Sequence, residues 1–396
     1  MGPQLSDPLT AATLPQRRMH EIDLLRFIAA LMVVVLHLSS GGVLGHTTLD
    51  YSDSVGQLGR YGYLGVDLFF MISGMVVFMS LWGRTPIAFL ISRISRLYPA
   101  FWAGVTITSL VLLYGAVNLP RVTVGQYLAN LTMFAQPLGV PNVEGVYWTL
   151  WAEWRFYFLL VVFSVIGITL RRTYAFLWGW LAATLLVEFL PLPYRIGHAL
   201  ELAIQPVYSH YFIAGMALYL VRRHGFTANL AMLLVGAYGN ALYQGVRHAD
   251  ERSRLYLLHL NPLIITMTIS TIFLVMTLVA TGKLARLNSR RLKPVGDLTY
   301  PLYLVHGTVG YAVLNVFADA VNRWLLLGSL MTALCLLAWA MNRLVEVPLQ
   351  PRLRDSLTSA LTPLVTRRSA VTDRLPKSTA AGTAPQERPT ATGGRR

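Results

Sequence analysis

Arg26 and His37 stand eleven residues apart inside one apolar run, Leu24 to Leu38. Eleven residues are close to three helical turns, so on a helix both side chains share a face, roughly 16 Å apart along the axis. Ala30 and Val33 lie between them and leave a narrow stripe of small side chains. An arginine near the middle of a membrane costs at least about 2.5 kcal/mol, so such residues face a protein interior or a wet cavity. The pair therefore implies a polar site within the membrane, holding a fixed positive charge at one end and a proton-exchanging imidazole at the other.

Four further segments place polar groups where lipid tolerates few. Gly65-Val-Asp-Leu-Phe-Phe-Met-Ile-Ser-Gly74 puts Asp67 and Gly74 two turns apart on one face, a pattern suited to close helix packing around a carboxylate. A charge or cap at the membrane edge is the plainer reading of Asp67. Arg93 and Arg96, three residues apart, share a helix face and can grip one polyphosphate; as simple anchors they would obey the positive-inside rule. In Trp148-Thr-Leu-Trp-Ala-Glu-Trp-Arg-Phe-Tyr157, Glu153 and Tyr157 share a face while Arg155 points about 200° away. The three tryptophans there look like an interfacial belt, which leaves Glu153 unexplained. Tyr300-Pro-Leu-Tyr-Leu-Val-His-Gly307 carries His306, whose plain reading is a hydrogen-bonded packing residue.

These residues need a scaffold, and composition says which. Of 396 residues 55% are hydrophobic and 13% charged, with a mean hydropathy of +0.52, far to the apolar side of soluble proteins. The chain reads as an all-α, polytopic bundle of about ten membrane helices, near 22–40, 62–82, 98–117, 147–168, 174–191, 205–222, 226–245, 258–281, 297–319 and 324–345. With a cytoplasmic amino terminus, the pairs Arg17-Arg18, Arg171-Arg172, Arg222-Arg223 and Arg290-Arg291 all fall on the inner side, and an even span count returns the carboxyl terminus there. Arg247 to Arg254 is the exception, placing arginines outside beside Asp250 and Glu251. The expected organisation is a cytoplasmic segment over 1–20, a transmembrane domain over 21–346 and a basic, largely disordered cytoplasmic tail over 347–396. The expected location is the inner, cytoplasmic membrane, with the protein multi-pass. No cleavage pattern follows the first apolar run, so the first helix is expected to stay.

Other classes fit poorly. No histidine pair stands at i,i+4 within a span and Cys335 is the single cysteine, so no metal site emerges. There is no glycine-rich phosphate loop after a strand signal and no Gly-x-Ser-x-Gly elbow. The net charge of +15 could suggest nucleic acid, but the tail arginines lack aromatic interleaving and suit anionic membrane lipid instead.

Taken in order, Leu25-Arg26-Phe-Ile-Ala-Ala to His37, the 65–74 segment, Arg93-Ile-Ser-Arg-Leu-Tyr-Pro99, the 148–157 segment and Tyr300-Pro-Leu-Tyr-Leu-Val-His306 resemble the acyltransferase 3 family of integral-membrane O-acyltransferases. The resemblance covers about residues 20 to 346. It implies transfer of an acyl group, commonly acetyl from acetyl-CoA, to a hydroxyl of a glycan, glycolipid or macrolide acceptor. It carries the family's first-span arginine and histidine onto Arg26 and His37, its paired arginines onto Arg93 and Arg96, and its glutamate onto Glu153. Many relatives read Trp-Ser-Leu followed by two acidic or polar residues, where this chain has Trp-Thr-Leu-Trp-Ala-Glu; that departure bears on the acceptor, not the reaction.

Physical reading and resemblance together give an expected mechanism. Arg93 and Arg96 hold the CoA phosphates, and His37 is general base on the acceptor hydroxyl, with an acyl-histidine relay as the chemical alternative. Glu153 orients or stabilises the imidazole, and Arg26 binds donor phosphate or the oxyanion. Asp67 is an alternative partner of Arg26; Ser73, Tyr157 and His306 are further candidates. A multi-span transporter would also bury these charges but would need no acyl donor, and a membrane scaffold would use them only to join helices. The segment 41–61, with Tyr51, Tyr61, Asp50 and Asp53, is compatible with carbohydrate stacking, as is Tyr63 just beyond it.

Overall fold

The computed structural model describes residues 19–39, 55–115, 121–256 and 260–372; Tyr51, Asp50 and Asp53, the first eighteen residues and 373–396 lie outside them. The longer helices are α1 (His20–Ser39), α2 (Leu64–Leu81), α3 (Pro86–Leu110), α4 (Trp148–Ile166), α5 (Leu170–Phe189), α6 (Tyr194–Ile204), α7 (Pro206–His224), α8 (Ala228–Arg247), α9 (Pro262–Ala280), α10 (Lys293–Phe317), α11 (Arg323–Met341) and α12 (Val347–Thr372). Among the described residues there is no strand. Each expected apolar segment overlaps a helix among the described residues. Six stretches are long and apolar enough to cross a membrane: His20–Ser39, Leu64–Leu81, Pro86–Tyr114, Gly145–Ile166, Pro262–Ala280 and Arg323–Leu361. This is a multi-pass membrane protein.

Local chemistry sets the helix ends. Thr85 caps α3 by accepting from Ala88 N, and Pro86 opens it, where its missing N–H costs nothing. The third span therefore starts at Pro86, not near residue 98, and carries Arg93 and Arg96 inside a helix instead of on the expected connection. α3 and α10 each hold an internal proline, Pro99 and Pro301, which remove ladder bonds. Tyr300 donates across to the Leu97 carbonyl at 3.1 Å, tying the two weakened stretches together.

The centre is built from α1, α2, α7 and α10, with α2 packed most extensively on α7 and α1 on α10. Gly74 and Gly215 allow the first contact: a Cβ on Gly74 would strike the Phe212 backbone, and one on Gly215 the Met71 carbonyl. Overpacking costs about 1–3 kcal/mol where a core can shift, and backbone atoms shift least. Gly215→Val is expected to cut the yield of monodisperse protein sharply, measured by fluorescence size-exclusion profile; a normal profile would mean that α2 and α7 need not approach this closely.

One expectation changes here. Part of the segment read as a disordered tail, Val347–Thr372, is helical. Leu349, Leu353, Leu357 and Leu361 recur every four residues, a helical stripe that the Ser, Thr and Arg content concealed. The chain divides into two compact units, up to Arg354 and from Asp355 onward. The tryptophans of α4 all pack on other side chains. Trp154 is buried and donates to Met133 Sδ at 3.1 Å, Trp148 packs on Phe70 and Tyr208, and Trp151 meets Phe134.

Candidate active site

α1 carries the two ends of the site, and each end opens into its own cavity. Arg26 lines a cavity of about 110 Å³ together with Ser73, Arg96, Thr149, Glu153, Tyr300 and Tyr303. His37 lines one of about 590 Å³ with Tyr63, Asp67, Glu144, Trp148, Tyr208, Tyr303 and Tyr311. Eleven residues of helix, about 16 Å, separate Arg26 from His37 along α1.

The Arg26 cavity is a positive pocket with one fixed carboxylate. Arg26 interacts electrostatically with Arg96, Asp23, Glu153 and Arg93. Arg96 is exposed into the space, whereas Arg93 turns back onto the Phe89 ring at 5.8 Å and onto Tyr157. Three guanidinium groups gather near Glu153, with Asp23 acting on Arg26 and Glu346 on Arg96; the charged side chains that line the cavity itself are Arg26 and Arg96 against Glu153, which leaves positive charge for an anion. Glu153 is held by Ser73 Oγ at 3.1 Å and by Tyr157 OH at 2.5 Å, both donating to Oε1. Arg155 points elsewhere, to the Glu201 carbonyl at 3.3 Å.

The expected bond from Glu153 to His37 is absent, because the two side chains belong to different cavities. Asp67 likewise lies with His37 and not with Arg26: it accepts from Tyr211 OH at 3.0 Å and lines the larger cavity. The residue that meets His37 is His306. His37 Nδ1 lies 2.8 Å from the Val33 carbonyl oxygen and 3.1 Å from His306 Nε2, while His306 Nδ1 lies 2.9 Å from the Tyr303 carbonyl oxygen. A carbonyl only accepts, so this network assigns a hydrogen to each Nδ1. His306 Nε2 then accepts a share of the His37 Nδ1–H, and His37 Nε2 is left with its lone pair and the cavity before it. A second proton on His306 would set two N–H groups against each other.

Glu144 escaped the sequence reading. It lies in the connection ahead of α4, outside the span, and is 2% exposed. Asn130 fixes that connection by donating to the Pro141 carbonyl at 3.0 Å and accepting from Val143 N at 3.0 Å. Glu144 Oε2 accepts from Thr308 N at 2.8 Å, and Tyr147 OH donates to the Leu304 carbonyl at 3.2 Å. The connection thus grips α10 on both sides of His306, and only glycine at 307 leaves room for the carboxyl group. No spacing rule relates residue 144 to 308, so only the fold reveals the contact.

Burial pushes the Glu144 carboxyl up to about 7, against the opposing effect of donors from Thr308 and Gly145. An acid whose pKa is raised on folding contributes stability below its unfolded value, about 4.5, and loses it as pH rises through about 7. Glu144→Gln keeps the acceptor oxygen and cannot ionise. The melting temperature of wild type relative to this variant is therefore expected to fall between pH 5 and pH 8 in detergent; a constant difference would mean that the carboxyl group ionises as freely folded as unfolded.

A family model described as an acyltransferase domain, the acyltransferase 3 model, matches residues 19–343. No curated protein and no solved structure matches.

Proposed function

The chain belongs to the acyltransferase 3 family, and from that premise we propose that it moves a short acyl group, acetyl first, from acyl-CoA to a hydroxyl of a glycan, glycolipid or macrolide acceptor. The observation that carries this reading is the pair of cavities meeting end to end beside α1, one positive and one holding an imidazole with a free lone pair. Donor phosphates suit Arg96 and Arg26, backed by Arg93. A cavity of about 110 Å³ has room for the thioester end and a short acyl group, not for the nucleotide, which would stay at the mouth beside the arginines. The acceptor enters the larger cavity, where Asp67 and four tyrosines offer hydrogen bonds and flat faces.

The chemistry balances without any further group. His37 Nε2 takes the acceptor hydroxyl proton as the oxygen attacks the thioester carbonyl. The C–O bond forms, the C–S bond breaks, and the thiolate leaves with the proton returned from His37. His306 accepts the Nδ1–H throughout, favouring the one tautomer that works and stabilising the transient imidazolium. Glu153 holds its place between Ser73 and Tyr157 and orders the arginine cluster rather than the imidazole. With the amino terminus cytoplasmic, the Arg26 cavity faces the cytoplasm and the acceptor arrives from the other side.

Two opposed cavities with a thin wall are also the geometry of a transporter, and one experiment separates the readings. Purified protein in lipid is given acetyl-CoA and a panel of glycan, glycolipid and macrolide acceptors, and free thiol is followed. Acceptor-stimulated CoA release supports the transferase; solute flux with no CoA release from any donor contradicts it.

A further inference from the structure

Among the residues lining the two cavities, Val66 and Tyr303 alone line both. They are nearly buried, at 8% and 6% exposure, so the wall between the cavities is about one side chain thick. Tyr303 is held on three sides. Its hydroxyl group lies 3.0 Å from Thr149 Oγ1, which in turn donates to the Val146 carbonyl at 2.8 Å. Its ring meets Phe69 edge-on at 5.5 Å, and its own carbonyl accepts from His306. The side chain that closes the wall is thus fixed relative to the histidine pair that faces one side of it. On the other side Val66, Phe69 and Phe70 present apolar surface, with Ser73 and Glu153 further along the Arg26 cavity.

We propose that Val66 and Tyr303 form the seal between the two cavities, and that the space at this seal sets the length of acyl group the protein transfers. The second half rests on the transferase reading; the first stands on the cavities alone. A thioester carbonyl that His37 is to serve must stand at the wall, and its alkyl chain must then lie against Val66, Phe69 and the Tyr303 ring. A fixed wall admits a two-carbon chain and crowds a longer one. One methylene in an apolar pocket is worth about 10- to 200-fold in discrimination, enough for a single valine to act as a ruler.

The test uses the full chain in proteoliposomes, with two readouts in the same preparation. A trapped pH-sensitive dye reports proton leak, and thiol release reports transfer from acetyl-, propionyl-, butyryl- and hexanoyl-CoA. Tyr303→Ala is expected to leak several-fold faster than wild type. Val66→Ala is expected to raise butyryl relative to acetyl transfer by about tenfold or more. Where Tyr303→Ala does not give folded protein, Tyr303→Leu keeps apolar bulk and carries the leak measurement. Variant vesicles as tight as wild type overturn the seal. An unchanged chain-length ranking in Val66→Ala, with thiol release intact, overturns the ruler. If wild type releases no CoA from any donor, the transferase reading falls and the ruler with it, while the leak measurement still decides the seal.

Discussion

Replacing His37 with alanine is expected to lower the turnover number of acyl transfer by about 10²–10⁴-fold, the usual contribution of a positioned general base. The apparent KM for acyl-CoA and the folded yield should change little, because His37 lines the cavity away from the arginines. The loss follows from the hydrogen-bond geometry. His37 Nδ1–H is committed to Val33 and His306, so Nε2 is the lone pair available to an acceptor hydroxyl. His306→Ala removes no atom that touches substrate but frees the ring to turn. A misplacement of about 1 Å can cost up to about 10²-fold, so its effect should be smaller than that of His37→Ala and should fall on turnover. Steady-state rates for both variants, with circular dichroism to verify folding, check the order. A His306→Ala enzyme as slow as His37→Ala would make the second histidine a participant in its own right, and a fully active one would reduce it to packing.

Arg96→Ala is expected to act on the donor alone. Hydrogen bonds to charged groups are worth about 1.5–3 kcal/mol, so losing one phosphate contact should lower kcat/KM for acyl-CoA by roughly ten- to a hundredfold, mostly through KM. Arg93→Ala should cost less, because that guanidinium stacks on Phe89 instead of lining the cavity. Acyl-pantetheine gives the control. It lacks the nucleotide and its phosphates, so wild type and Arg96→Ala should use it equally poorly, and the two changes should not add. If KM for acyl-CoA is unchanged in Arg96→Ala, the arginine serves membrane topology and the phosphate site lies elsewhere.

The helical segments were legible because a twenty-residue apolar window is a coarse signal that survives local detail. The start of the third span differs because Pro86 to Tyr98, the first half of α3, carries Arg93 and Arg96, which interrupt the apolar window while the helix runs on through them. Within the site, helix periodicity places Glu153 with Tyr157, which do meet, and puts Arg26 on one helix face with His37, although those two line different cavities. It failed for every contact between helices. Glu153 to Ser73, His37 to His306 and Glu144 to Thr308 span 80, 269 and 164 residues, and no single-helix rule relates such positions. Both carboxylates were consequently assigned to the wrong neighbours: Glu153 to the imidazole, and Asp67, as an alternative, to Arg26. The motif order identified the family without identifying which motif residues touch.

In the proposed reaction, donor and acceptor meet from opposite sides of the membrane, at the wall between the Arg26 and His37 cavities. Sided proteoliposomes test it most directly. Acyl-CoA is supplied on the cytoplasmic face and an impermeant hydroxyl acceptor is trapped on the other, with protein orientation fixed by protease protection. The predicted result is acylated acceptor on its own side and one free CoA per acyl group on the donor side, both lost in His37→Ala. Product formed only when both substrates share one face, or either substrate crossing intact without CoA release, would rule out transfer across the wall.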